Sequence, residues 1–232
     1  MPLLHLVTGA SSGVGALLAE RLAAAGHVVG AVARSADKLA TLAAKHPGRI
    51  IPVVADVADW DAAATAVAQL EQAHGPVHAL INNAAIFALT PFAEHQPADI
   101  RRLLATNVEG AMAWTHAVVP GMIARKSGRI VNVASVAGVR GLPGQAAYCA
   151  SKHALVGFAD ALAQELLPHG IAVSTLCPGG IDTPLWDQTA YPGERQLIMS
   201  AGEVVDAIEF LLTRPPGTIY KRLMFFPANE WH

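Results

Sequence analysis

Tyr148 and Lys152 stand four residues apart in a helix-patterned stretch from about Gln145 to Leu167, so one turn brings both side chains to the same face. Ser135 lies thirteen residues before the tyrosine, at the end of the apolar run Arg129 to Ala134. A phenol ionises near pH ~10, and a neighbouring ammonium stabilises the phenolate and draws that equilibrium toward neutrality. Such a tyrosine can protonate a developing alkoxide or take the proton of an alcohol. A second chemical feature lies near the start, in Thr8-Gly9-Ala10-Ser11-Ser12-Gly13-Val14-Gly15. Glycines at 9, 13 and 15 permit positive φ and let a diphosphate approach main-chain N–H groups at the positive end of a helix. Alone, such a turn can be only a tight connection, and each of the three side chains can be only structural. Their order along one chain assigns the turn to a nucleotide and the side chains to one site.

These groups need a scaffold that brings residue 9 to residue 148. Short apolar or β-branched runs recur at Leu3 to Val7, His27 to Ala33, Ile50 to Val54, Val77 to Ile81, Arg129 to Ala134, Ile171 to Cys177 and Ile219 to Phe226. Six helical segments separate these seven predicted strands. Continuous apolar runs are the mark of strands buried on both faces, so the pattern predicts an α/β fold: one doubly wound Rossmann domain with a parallel sheet. No linker, charge tract or repeat divides the chain, and residues 1–232 are read as one dinucleotide-binding and catalytic domain. Gly26, Gly75, Gly128 and Gly170 are expected to close helices, and Ser35 and Asp59 to cap them. The longest irregular stretch, about 178–202, follows the sixth strand and is read as a substrate lid.

Together these residues resemble the short-chain dehydrogenase/reductase family, single-domain type, over essentially the whole chain. The matching pieces are the glycine turn, Asp56-Val57, Asn82-Asn83-Ala84-Ala85, Asn107, Ser135, Tyr148, Lys152, and Pro178-Gly179 followed by Thr183. The resemblance implies an oxidoreductase moving hydride between a nicotinamide dinucleotide and a carbonyl or alcohol. Tyr148 would exchange the proton, Ser135 hold the substrate oxygen, and Lys152 bind the nicotinamide ribose and lower the Tyr148 pKa. Asn107 would interrupt its helix and hold a water linking Lys152 to solvent. Gly9, Ser11, Ser12, Gly13, Val14 and Gly15 would cradle the diphosphate, Asp56 and Val57 contact the adenine, and Asn83 with Ala84 the adjoining ribose region. Pro178, Gly179, Ile181 and Thr183 would close the nicotinamide end. Ala85 stands where the family usually has glycine, which matters only if φ is positive there. The tail, Pro227 to His232, lacks the family's frequent V-D-G-G ending.

The predicted second strand ends Ala33-Arg34-Ser35 with no acidic residue, and a guanidinium there suits a 2′-phosphate. NADP(H) is therefore the expected cofactor, with NAD(H) possible. A non-catalytic NADP(H)-binding sensor or scaffold is the alternative; it would be expected to lack part of the Asn-Ser-Tyr-Lys set, which is complete here.

Sixteen Lys and Arg against eighteen Asp and Glu give a formal charge of −2 without blocks of one sign, so neither nucleic acid nor membrane is expected as a partner. Cys149 and Cys177 read as reduced thiols, and no histidine spacing suits a metal. With the first strand beginning almost at Met1, a cytoplasmic protein is expected. Ala137, Val139, Leu142, Gln145, Leu185, Trp186 and Tyr191 are the expected pocket wall for a small, largely apolar carbonyl compound. Arg140 and Arg195 could each reach inward, with solvated surface positions the expected reading for both. The family resemblance implies a homodimer or homotetramer built from the long helices containing Asn107 and Tyr148.

Overall fold

The computed structural model describes residues 2–188, 197–215 and 217–228. The chain begins β1 (Leu4–Thr8), α1 (Gly13–Ala24), β2 (Val28–Ala33), α2 (Ala36–Lys45), β3 (Ile50–Val54), α3 (Trp60–His74) and β4 (Val77–Asn82). It continues through α4 (Pro97–Leu104), a π-helical turn (Ala105–Glu109), α5 (Gly110–Arg125), β5 (Gly128–Val133), α6 (Ala146–Leu166) and β6 (Ile171–Pro178). Last come β7 (Ile181–Asp182), β8 (Met199–Ser200), α7 (Ala201–Leu212) and β9 (Arg222–Phe225).

Seven strands form one parallel sheet in the order β3-β2-β1-β4-β5-β6-β9, so the winding reverses between β1 and β4. A reversal of this kind leaves a crevice at the carboxyl ends of the strands, which places the ligand site. The residues of β1 and β2 are buried throughout, as continuous apolar runs require. At the edges the burial alternates instead. Pro52 is tolerated in β3 because that strand is an edge, and β9 exposes Arg222 and Met224. Two apolar layers cover the sheet. Leu18 and Leu22 of α1 and Val204 and Ile208 of α7 pack with Val29 and Ile81 on one face; Val67, Trp114 and Leu166 pack with Leu6, Leu80 and Ile130 on the other.

Local chemistry accounts for most helix ends. The Asp59 carboxylate accepts from Ala62 N at 2.9 Å and caps α3, whereas Ser35 stands at the α2 N-cap without a side-chain cap bond. Gly26, Gly75 and Gly170 close helices at positive φ as expected, but Gly128 opens β5 and Lys126 (φ 52) closes α5. Two expected boundaries move. The last strand is Arg222–Phe225, shorter than Ile219 to Phe226, and the stretch expected to be irregular after β6 contains β7 paired in parallel with β8. Tyr191, Pro192, Gly193 and Arg195, with Asn229 to His232, lie outside the described residues.

At the opposite end of the sheet from the crevice, His5 is buried edge-on to His27 and His78, with ring centroids 4.9 and 5.5 Å away. Among the described residues neither His5 ring nitrogen has a hydrogen-bond partner. Burial, reinforced by His27 and His78, pushes His5 down from 6.5 to about 3. Burial also lowers His27 and His78, aided by the amino terminus and Arg49 at the first and by Arg129 and Arg125 at the second. A depressed folded-state pKa makes this contribution complete above the unfolded value and lost as pH falls from about 6.5 toward 3. For His5 the loss is about 3 kcal/mol at pH 4. The His5→Leu variant is expected to lose that much less stability than wild type between pH 7.5 and 4, read by urea unfolding; equal losses would contradict it.

Candidate active site

Two adjoining clefts open at the crevice, and Tyr148 lines both. The larger, about 480 Å³, begins at the β1–α1 turn with Gly9, Ser11, Ser12, Gly13 and Val14. Asn83 and Ala84 of the β4 connection form its middle wall, with Asp56 and Val57 after β3. Arg34 and Ser35 lie beyond β2, and Lys152, Ile181 and Thr183 complete the Tyr148 side. The smaller cleft, about 310 Å³, holds Ser135, Pro178 and Gly179 together with Phe87, Arg140, Leu142, Gln145, Leu185 and Trp186.

The first cleft suits a dinucleotide. No acidic side chain occupies the first turn of α1 and Ser12 makes no side-chain cap bond, so the helix N-terminus faces the cleft with its N–H groups available to an anion. Gly9 and Gly13 take positive φ, as the turn was expected to require. Gly15 corrects the expected role: it does not line the cleft, and a Cβ there would lie 2.4 Å from Gly9 O and 2.7 Å from Asn83 Nδ2. It makes room for a protein contact rather than for a ligand. Through that gap Asn83 Nδ2 donates to Thr8 O at 3.0 Å, while Thr8 Oγ1 accepts from Asn83 N and Ala84 N, each at 3.0 Å. Asn83 therefore ties the glycine turn to β4. Ala85 is harmless in place of glycine, because Lys126 is the only non-glycine with positive φ among the described residues.

Ser135 follows β5 and accepts from Ala137 N at 3.1 Å, which fixes its hydroxyl toward Tyr148. Gly138 lets this turn sit on α6, since a Cβ there would come within 2.8 Å of Lys152 O. Burial pushes the Tyr148 phenol above its usual range, and the Ser135 hydrogen bond opposes that rise. This corrects the expectation that Lys152 draws the tyrosine toward neutrality. Lys152 Nζ lies 5.7 Å from the Tyr148 ring centroid and donates to Val133 O at 2.9 Å, and its own burial lowers it to about 8. The ammonium sits over the Tyr148 ring.

Asn107 occupies the π-helical turn between α4 and α5, so the expected helix interruption is present. Its side chain is committed to protein. Oδ1 accepts from Ile86 N at 2.8 Å, and Nδ2 donates to Ile86 O at 2.9 Å and Ser151 Oγ at 3.1 Å. Ser151 in turn donates to Tyr148 O at 2.7 Å. Asn107 thus joins the β4 loop to α6, the helix that carries Tyr148 and Lys152, and both amide hydrogens are used.

The pocket wall departs from expectation in three places. Ala137 is buried under α6 with Tyr148 and Ala147, and Val139 packs beside Leu155 and Cys177, so neither lines the cleft. Arg140, for which the surface was the expected reading and an inward reach the alternative, lines it. Phe87 is the residue that sequence patterning missed. It packs edge-on against Tyr148 at 4.9 Å and Trp186 at 4.8 Å, and Trp186 Nε1 donates to Ile181 O at 2.8 Å. Lys38 also went unnoticed; it lies one turn beyond Arg34 on the same cleft, and its spacing of four was the available signal. Among the described residues no His, Cys, Asp and Glu cluster could hold a metal, and no helix is long and apolar enough to cross a membrane.

A parallel sheet with its reversal at the glycine turn, and Ser, Tyr and Lys side chains at the same end, defines a doubly wound dinucleotide-binding oxidoreductase. The chain belongs to the short-chain dehydrogenase/reductase family: residues 4–191 match the short chain dehydrogenase model. It is 40% identical over 180 residues to an acetoacetyl-CoA reductase of Paracoccus denitrificans, covering 78% of this chain and 74% of that protein. Among solved structures it resembles a short-chain dehydrogenase from Streptomyces avermitilis, with a TM-score of 0.87, 30% identity and coverage of 97% of this chain and 89% of that one. A metagenomic short-chain oxidoreductase in complex with NADP superposes with a TM-score of 0.83 at 29% identity, over 96% of this chain and 95% of that one.

Proposed function

We propose that this protein reduces a ketone or aldehyde with NADPH and can run the reverse alcohol oxidation. One observation carries the reading: the Tyr148 phenol stands at the junction of the two clefts, held by Ser135. A reduced nicotinamide, when bound, supplies the hydride. Ser135 donates a hydrogen bond to the carbonyl oxygen and stabilises the charge that develops there. Tyr148, kept protonated by burial, gives that oxygen its proton. Lys152 holds its ammonium between Val133 O and the Tyr148 ring, from which it can reach the ribose hydroxyls of the larger cleft. Buried, free Cys149 and Cys177 agree with a reducing, cytoplasmic setting.

Arg34, Ser35 and Lys38 at the far end of that cleft support NADP(H), as does the NADP bound by the metagenomic relative. A guanidinium pairs bidentately with a phosphate that NAD(H) lacks. The overall reading is tested by NADPH absorbance against a panel of ketones and aldehydes, where no turnover would contradict it. In the same assay Arg34→Ala is expected to lower the NADPH-to-NADH ratio of kcat/KM by about 10- to 100-fold. An unchanged ratio would overturn the assignment of Arg34.

A further inference from the structure

We infer that Phe87, clamped between Tyr148 and Trp186, is a specificity-determining residue of this site. Its ring limits one substituent of the reducible carbonyl to about the size of a methyl group, so the substrates are methyl ketones with a larger apolar second arm. The inference rests on the reductase reading and names its substrate class. Phe87 stands where the two clefts meet. Asn83, Ala84, Ala85 and Ile86 line the larger cleft, and Phe87, the next residue along the β4 connection, lines the smaller one. Tyr148 lines both, and the Phe87 ring packs edge-on against it, with centroids 4.9 Å apart and planes at 86°. That is a direct ring contact, and no substrate group fits between the ring and the proton donor.

The ring is held from both sides and along its backbone. Just before it, Ile86 N donates to Asn107 Oδ1 at 2.8 Å and Ile86 O accepts from Asn107 Nδ2 at 2.9 Å. Just after it, Thr90 N donates to Gly144 O at 2.8 Å. On the side away from Tyr148 the ring meets Trp186 edge-on, at 4.8 Å and 64°, and that indole is fixed by its Nε1 bond to Ile181 O at 2.8 Å. Phe87 is therefore a wall that does not swing aside. A packed apolar wall that cannot yield makes overfilling costly, and each added methylene changes discrimination by about 10- to 200-fold. The second arm has other neighbours: Val136, Leu142 and Leu185 supply apolar surface, and Arg140, Gln145 and Thr183 add polar groups to the wall. At about 310 Å³ the cleft has room for a ring on that arm. Reduction adds the nicotinamide hydride to the carbonyl carbon and the Tyr148 proton to its oxygen. The nicotinamide is oxidised, the product is a secondary alcohol, and both arms are unchanged.

Acetophenone and butyrophenone share the phenyl arm and differ by two methylenes on the other. Wild type is expected to favour acetophenone in kcat/KM with NADPH. In Phe87→Ala the acetophenone-to-butyrophenone ratio is expected to fall by about 10- to 100-fold, and in Phe87→Leu by less. A ratio is insensitive to the fraction of folded enzyme. Equal use of the two ketones by wild type, reduction of other ketones but neither of these, or an unchanged ratio in Phe87→Ala would overturn the inference and leave the reductase reading intact. An equal fall in Leu142→Ala would overturn it too, because total cleft volume would then set the limit. Benzamide and N-ethylbenzamide repeat the two shapes and are not reduced, so calorimetric titration of each in the presence of NADPH reads the same wall without turnover. If no ketone is reduced, the reductase reading fails, and this arm still decides Phe87. Tighter binding of benzamide that Phe87→Ala abolishes upholds the limit. Equal binding of the two amides by wild type, binding of neither, or a preference that survives in Phe87→Ala removes it.

Discussion

Tyr148→Phe is expected to lower kcat for carbonyl reduction by about 10²- to 10⁴-fold, the usual worth of a positioned proton donor. The substitution removes one oxygen and little else. Tyr148 is 7% exposed and packs edge-on against Phe87 at 4.9 Å, contacts that a phenylalanine ring keeps. On the proposed mechanism what is lost is the proton for the substrate oxygen, together with the bond to Ser135. Steady-state NADPH absorbance measures the change, and a phenylalanine enzyme as fast as wild type would show that the proton comes from elsewhere. The pH profile sharpens the test. Burial holds the phenol above its usual range, so the donor stays protonated through neutral and mildly alkaline solution. Lys152, lowered to about 8, is charged below that pH and neutral above it. Reduction consumes a proton, and a charged Lys152, with its ammonium 5.7 Å from the Tyr148 ring centroid, is a buried acid beside the ring that can restore one to the phenolate. The kcat for reduction is therefore expected to decline as pH rises through about 8, and the residual activity of Tyr148→Phe to lack that decline.

Asn107→Leu is expected to cost both stability and turnover. The amide makes three hydrogen bonds in a buried place, to Ile86 N, Ile86 O and Ser151 Oγ, and leucine makes none. An unsatisfied buried donor or acceptor costs about 1–3 kcal/mol, so losing these three contacts is worth roughly 3–9 kcal/mol. That is a large part of the ~5–15 kcal/mol by which domains are stable. The midpoint of thermal unfolding is expected to drop on the order of 10 °C. Turnover should fall further than the folded fraction explains, because the same amide joins the loop before Phe87 to α6 beneath Tyr148. Calorimetry alongside kcat at a temperature where the variant is folded separates the two effects. A variant with wild-type unfolding and wild-type kcat would remove Asn107 from the positioning network.

Much of this architecture was legible because it follows local rules. The runs Leu3 to Val7 and His27 to Ala33 read as strands because buried parallel strands need no polar face. The glycine turn was legible for the same reason, since the φ values of Gly9 and Gly13 favour one residue type. Where a strand lies at an edge the pattern weakens, and β9 came out shorter than Ile219 to Phe226. Arg140 stayed open between cleft and surface, with the surface favoured, because an arginine five residues beyond Ser135 has no local mark separating a cleft wall from solvent. Phe87 was missed because an aromatic after Asn82-Asn83 has no periodicity to follow.

By itself, then, the sequence determined the strand order's ingredients, the nucleotide turn and the pairing of Tyr148 with Lys152 on one helix face, because backbone geometry and a period of 3.6 act over a few residues. Only the tertiary structure decided which groups meet across long separations: Lys152 with Val133 O, Asn107 with Ile86 and Ser151, Asn83 with Thr8 and Arg140 with the substrate cleft. It also decided the protonation chemistry. Burial, which no residue type or spacing encodes, raises Tyr148 and lowers Lys152, because the charged form of each group loses its water.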